Sequence, residues 1–259
     1  TAISLGTQTI AGVYTVVATN SITGCTNNMT GSVVITINAL PTAYTVTGGG
    51  PICAGGAGLP IYLSGSQAGV TYQLYNGVTS LGSPVSGTGT AITFGTFSAA
   101  GTYTVVATNT ATGCVNNMTG SAIIIINVLP TAYTVTGGGG YCAGGTGAAI
   151  GLASSQTGVN YQVMMGTTVV GSAVAGTGSA LALGSYTTAG TYTVKATDAT
   201  TGCSSMMTGS VTVSINPLPA SIPMSGGGAY CFGGAGVHVG LAASVAGINY
   251  RSEERRVGK

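Results

Sequence analysis

The chain is predicted to be all-β, a tandem run of β-sandwich repeats of 89 residues. Three observations predict it. The cysteines keep a fixed beat: Cys25, Cys114 and Cys203 stand 89 residues apart, and so do Cys53, Cys142 and Cys231. Each cysteine of the first set closes nearly the same phrase, at 11–25, 100–114 and 189–203, and a constant period without insertions marks one structural unit copied whole. Within a period, short apolar or alternating runs are separated by clusters of Gly, Ser, Thr and Asn, the pattern of strands and turns. The 46 glycines and the many Thr and Val fit frequent turns between half-buried strands.

The period divides the 259 residues into complete repeats at 42–130 and 131–219. It leaves a partial repeat at 1–41 with C-terminal strands only, another at 220–250 with N-terminal strands only, and a final nonamer at 251–259. That nonamer, Arg251-Ser-Glu-Glu-Arg-Arg-Val-Gly-Lys259, breaks the repeat where a Tyr-Gln type of strand should continue. It resembles the translated read-through of a sequencing adapter, and is set aside as a non-native tail. The chain is therefore expected to be a fragment of a longer protein.

The repeat at 131–219 can be justified run by run. Pro130 and Asn216-Pro-Leu-Pro219 mark its edges, because proline fixes φ and donates no ladder hydrogen bond. Between them lie seven runs, at 132–136, 148–153, 159–165, 168–173, 180–183, 191–197 and 210–215, the spacing of a β-sandwich. In the sixth run Tyr192, Val194 and Ala196 face one way and Thr191, Thr193, Lys195 and Thr197 the other, so Lys195 is expected in solvent. In the seventh, Val211, Val213 and Ile215 make the inward stripe. The previous copy differs: Ala122-Ile-Ile-Ile-Ile126 is apolar on both faces, which predicts either a neighbour packed over it or a sticky surface.

Composition excludes several functions. Of the five Lys or Arg and three Asp or Glu, all but Lys195 and Asp198 lie at 251–259. Such a body has no basic stripe for nucleic acid and no acidic cluster for calcium. It has no set of positioned titratable groups for acid–base catalysis. No enzyme, cofactor or metal is expected. No apolar run approaches the roughly 20 residues that cross a bilayer as a helix. With no Trp and three Phe, the core must be built from Val, Ile, Leu, Ala and Tyr, and some extra staple is expected.

The segment Gly190-Thr-Tyr-Thr-Val194, with Tyr opening a late strand, resembles the Tyr-x-Cys corner of immunoglobulin-type domains, with Val194 where the second cysteine would stand. The whole unit, from Tyr141-Cys-Ala-Gly-Gly145 to Thr201-Gly-Cys203 and Asn216-Pro-Leu-Pro219, is similar to the tandem Ig-like or PKD-like repeats of large secreted bacterial surface proteins, of the adhesin or gliding-motility-associated type. The resemblance covers 1–250. It implies immunoglobulin-like sandwiches acting as a structural or adhesive stalk, extracellular or on the cell surface. The partners it implies are cell-surface glycans, other surface proteins or neighbouring repeats. The rival reading is a carbohydrate-binding module, for which Tyr62, Tyr72, Tyr75 and Tyr161 are the aromatic candidates.

The cysteines are neither metal ligands nor nucleophiles on this reading. No Cys-x-x-Cys pair exists, His238 is the single histidine, and no His or acid recurs with the period. Two disulfide registers suit the period. Pairing within repeats joins Cys53 to Cys114 and Cys142 to Cys203, leaving Cys25 and Cys231 unpaired because their partners lie outside the chain. Pairing across boundaries joins Cys25 to Cys53, Cys114 to Cys142 and Cys203 to Cys231. The first is favoured, since each repeat must fold without its neighbour and closing a loop of about 60 residues contributes roughly 4 kcal/mol. Either register implies an oxidising compartment.

Four smaller signals are read blandly. Thr136-Gly-Gly-Gly-Gly140 lacks the Lys-Ser/Thr of a phosphate loop and is expected to be a flexible connection. The sequons Asn28-Met-Thr30 and Asn117-Met-Thr119 are expected to be fortuitous. The pairs Met164, Met165 and Met206, Met207 are expected to fill gaps, and His238 to point outward.

Overall fold

In the computed structural model, residues 1–253 are described, and every regular element among them is a strand. The protein falls into two compact units, Thr1–Val128 and Leu129 onward.

The first unit opens with four short strands, β1 (Gly12–Tyr14), β2 (Val17–Thr19), β3 (Thr26–Asn28) and β4 (Val33–Ile35). These form two small pairs, β1 with β4 and β2 with β3. Val13, Val17, Val33 and Val34 remain exposed, because no second layer covers them.

The sandwich proper follows: β5 (Val46–Cys53), β6 (Leu59–Leu63), β7 (Val70–Asn76), β8 (Thr79–Ser86), β9 (Ile92–Phe97), β10 (Gly101–Asn109), β11 (Val115–Asn117) and β12 (Ala122–Asn127). Its strand order is β8-β7-β10-β12-β5-β6-β9, with β11 beside β10. β5 serves both layers: its first half pairs antiparallel with β6, and its second half runs parallel to β12. Alternation then sends one face of every strand inward. Tyr103, Val105 and Ala107 of β10 meet Tyr72 and Leu74 of β7 and Ile61 and Leu63 of β6 in one buried cluster.

The second unit repeats the plan as β13 (Val135–Gly137), β14 (Gly139–Cys142), β15 (Ala148–Leu152), β16 (Val159–Met165), β17 (Thr168–Ala175), β18 (Leu181–Tyr186), β19 (Gly190–Asp198), β20 (Ser204–Met206) and β21 (Val211–Asn216). One layer is β13-β15-β18, and the other is β14-β21-β19-β16-β17 with β20 on β19. The core again centres on Tyr161, Tyr192, Val194 and Ala196. The last pair is β22 (Met224–Gly226) with β23 (Val239–Leu241). Most of the nonamer 251–259 lies outside the described residues.

Three expectations are corrected. The glycine run 136–140 is not a flexible connection but the place where the chain changes layers, with β13 in one sheet and β14 parallel to β21 in the other. Gly137, Gly138 and Gly139 take φ of 93°, 72° and 105°, values that L side chains rarely adopt. A Cβ on Gly137 would also sit 2.1 Å from the Ala149 carbonyl oxygen. The first strand accordingly starts at Val135, later than the run at 132–136. The inward stripe of the seventh run stops at Val213, since Ile215 is exposed at the end of β21. Lys195, by contrast, stands in solvent on the threonine face.

Each long hairpin carries a bulge that the sequence does not announce. Between Tyr72 and Leu74 the register of β7 against β8 shifts. There the Gln73 side-chain amide donates to the Leu74 and Leu81 carbonyls, both at 2.9 Å, replacing ladder bonds that the bulge interrupts. Gln162 does the same for Val163 and Val170.

Candidate functional site

Each sandwich has a leading pole, where the connector arrives, and a trailing pole, where the chain departs. The leading pole is built from polar contacts that recur with the period. The Gln67 side-chain carbonyl accepts from the Thr42 N–H at 2.6 Å, and that of Gln156 from the Thr131 N–H at 2.6 Å. The Asn116 amide donates to the Pro41 carbonyl at 2.8 Å, and the Ser205 hydroxyl donates to that of Pro130 at 2.8 Å. Both prolines are buried. The methionine sulfurs of Met118 and Met207 accept from the N–H of Tyr44 and Tyr133, and both side chains are buried in the cores. Met207 fills a gap as expected, whereas Met206 is exposed.

The same pole holds the turn after β10 and β19. In the first sandwich Asn109 Oδ1 accepts from the N–H of Ala111 and Thr112, and Asn20 makes the same turn upstream. In the second, Asp198 Oδ1 accepts from the N–H of Thr200 and Thr201 and from the Thr201 hydroxyl. Donation by the Thr201 N–H, then by Thr200 and the Thr201 hydroxyl, holds the Asp198 carboxyl below its ordinary value of 3.8. A hydrogen-bonded carboxylate of this kind is a turn device.

At the far end, β5 and β14 each finish in a cysteine. Cys53 lies opposite Asn127 and Cys142 opposite Asn216 in the parallel ladders. Cys114 and Cys203 instead follow β10 and β19 at the leading pole, where the N–H of Asn109 and of Asp198 donates to their carbonyls. The two cysteines of one repeat are thus separated by the length of a nine-residue strand, roughly 30 Å at a rise of about 3.4 Å per residue. A disulfide needs Cα atoms within about 7 Å.

That distance corrects the favoured register. Cys114 and Cys142 are free thiols, as are Cys25 and Cys231, while Cys53 and Cys203 are disulfide-bonded. Neither the bridges within repeats nor the rival pair Cys114 with Cys142 is formed. Sequence reasoning put both cysteines near strand ends but could not say which ends meet.

The tyrosines divide by role. Tyr103 and Tyr192 donate from their hydroxyls to the carbonyls of Ala99 and Thr188, four residues upstream, at 2.8 and 2.7 Å, and Tyr14 does the same to Ile10. This is the tyrosine corner of immunoglobulin-like sandwiches. Tyr72 and Tyr161 are fully buried, and their hydroxyl oxygens accept from the N–H of Gln67 and Gln156. Burial pushes the Tyr72 and Tyr103 phenols above their ordinary value. As sugar platforms, Tyr72 and Tyr161 are ruled out. Tyr62 is 40 % exposed and Tyr75 is half-buried, but Gly151 and Met164 stand at their positions in the second sandwich, so no aromatic surface repeats.

Among the described residues no three His, Cys, Asp or Glu lie close enough to hold a metal ion, and His238 stands exposed beside β23. No helix among them is long and apolar enough to cross a membrane.

The strand order, the two buried layers and the tyrosine corner define the class: tandem immunoglobulin-like β-sandwiches. No protein-family model and no curated protein matches the chain. Among solved structures it is similar to the fibronectin(III)-like modules of Clostridium thermocellum CbhA, at 17 % identity and a TM-score of 0.37, over 67 % of this chain and 95 % of that one. It is also similar to the full ectodomain of mouse nectin-like molecule 4, at 14 % identity and a TM-score of 0.26, over 71 % and 67 % of the two chains. A third is the N-terminal four Ig domains of Dscam1 isoform 4.44, at 11 % identity and a TM-score of 0.23, over 83 % and 62 %. At such scores the fold assignment rests on the chain's own topology.

Proposed function

We propose that the chain is a stretch of stalk from a large extracellular or cell-surface bacterial protein, in which 42–130 and 131–219 are complete spacer or adhesive repeats and 1–41 and 220–250 are parts of further copies. The observation that carries this reading is the grip each sandwich takes on the connector before it. Gln67 and Asn116 hold Thr42 and Pro41, and Gln156 and Ser205 hold Thr131 and Pro130. A connector tied down by side chains of the following repeat, with a buried proline, has little slack, which is what a spacer requires and a flexible tether lacks. Before residue 251 the chain carries only Lys195 and Asp198 as charged residues, which suits a role of holding distance. PKD-type kinship and binding of glycans or other surface proteins belong to the adhesive form of the same proposal, and 251–259 is taken as a non-native tail.

Pulling the whole chain by its ends in reducing buffer tests the stalk reading. Two unfolding events are expected, each lengthening the chain by roughly 250–300 Å for a repeat of this size. Gradual extension without discrete events would overturn it. Tight retention of soluble glycans by the immobilised chain would favour the carbohydrate-binding reading instead.

A further inference from the structure

We propose that β17 is an interaction edge, at which two copies of this chain join antiparallel across a two-fold axis through Val174. Within the second unit β17 ends its sheet, and among the described residues its one neighbouring strand is β16. It runs for 8 residues, Thr-Val-Val-Gly-Ser-Ala-Val-Ala, with no charged side chain. An edge strand offers unpaired N–H and C=O groups to another strand, and proteins blunt such edges with proline, charge, a bulge or a cover.

Alternation decides which groups are on offer. The Gly176 N–H donates to the Val159 carbonyl at 2.8 Å, and Val174 stands opposite Tyr161, so the backbone groups of Val174 and Gly176 face β16. Those of Ala173 and Ala175 face away from it, and both residues are exposed. The counterpart one period earlier is β8, also the last strand of its sheet. There the Gly87 N–H makes the same bond to the Val70 carbonyl, again at 2.8 Å, and Pro84 stands at the place of Ala173. That proline removes an outward donor, at the kind of position where a sheet tolerates it. Both hairpins carry the same bulge, so proline is what distinguishes them. It closes β8, and its absence leaves β17 open.

The edge's own symmetry points to the occupant. Its outward groups lie on either side of Val174, so a two-fold axis there sets Ala173 opposite Ala175 of the second copy. Each then donates to the other's carbonyl, as in the hydrogen-bonded pairs of an antiparallel ladder, and the contact is self-complementary. Val174, packed against the core, meets its own copy beside the axis. Charge does not oppose the approach: before residue 251 only Lys195 and Asp198 are charged, and both lie on β19, with β16 between them and β17. The edge is open whether the array is a passive spacer or an adhesin.

Sedimentation equilibrium of the whole chain in reducing buffer, taken into the millimolar range, should show monomers and dimers in exchange. Ala173→Pro, which copies β8, should lower the association constant about tenfold or more, through the loss of one hydrogen bond per copy. Ala173→Lys, which charges the edge, should weaken association in the same direction, and it carries the comparison should the proline unfold the second sandwich. Pro84→Ala should strengthen association by opening β8. Residue-resolved hydrogen exchange should slow at Ala173 and Ala175 as concentration rises. A chain that stays monomeric, association unchanged by both Ala173 variants, or concentration-dependent protection that appears elsewhere and not on β17 would each overturn the proposal.

Discussion

The two complete sandwiches share their inward residues and differ in their outward ones. Tyr72, Tyr103, Val105 and Ala107 of the first stand where Tyr161, Tyr192, Val194 and Ala196 stand in the second, and all are buried. Outside, β12 carries Ile123 and Ile125, 51 % and 53 % exposed, where β21 carries Thr212 and Ser214. The turn after the long central strand uses Asn109 in one and Asp198 in the other. One fold accommodates both, so its identity is set by the inward alternation and the outward face is free to vary. The segment 1–41 supplies the converse. Tyr14 makes its corner bond there, yet Val33 is exposed where Ala122 is buried, because no facing layer is present.

If the inward residues define the fold, truncating them should have the largest effect, equal in the two copies. Tyr103→Ala and Tyr192→Ala should each cost about 3–5 kcal/mol, the range for emptying a buried aromatic site, and should each melt one sandwich in a denaturant titration. Unequal losses would show that the cores are not equivalent.

The layer crossing comes next. Gly48→Ala and Gly137→Ala place a Cβ 2.1 Å from the carbonyl oxygens of Pro60 and Ala149, at φ of 106° and 93°. Each should cost more than about 1–2 kcal/mol, the penalty of the left-handed conformation alone. A melting temperature unchanged in either variant would count against the crossing.

How much of this was legible in advance follows from which signals are local. Strand runs and faces were readable because alternation is local: Tyr192, Val194 and Ala196 fall inward as the pattern required. The corner tyrosine was readable for the same reason, since its partner is four residues away. The glycine crossing was not, because five near-identical small residues carry no periodicity and their pairing partner, β21, lies some 70 residues on. The cysteine register failed on the same ground. Spacing along the chain says nothing of which pole a loop occupies, and the nine residues of β10 decide it. Burial of Tyr72 and Tyr161 was suggested by their inward strand positions, but the bonds from Gln67 and Gln156 that fill their hydroxyls were invisible.

The turn difference predicts a smaller, pH-dependent asymmetry. The Asp198 carboxyl titrates lower in the folded chain than its ordinary 3.8. Its contribution is therefore complete above about pH 4 and is lost as pH falls through the depressed folded value. The second sandwich should lose stability in that acid window while the first, with Asn109, should not. Asp198→Asn should remove the difference, and an acid step that survives the substitution would have another source.

Smallest of all should be the outward changes. Ile123→Thr and Ile125→Thr, which copy the second sandwich onto the first, should alter stability by no more than about 0.5 kcal/mol, as surface substitutions do. Their effect should appear instead as reduced self-association, measurable by light scattering.

Native-state hydrogen exchange tests the central claim most directly, that two self-contained sandwiches repeat every 89 residues. The account predicts strong protection in β7, β10, β16 and β19, matching position for position one period apart, with fast exchange at 1–41 and 220–250. Uniform protection through 220–253, or protection that does not repeat between the two sandwiches, would contradict it.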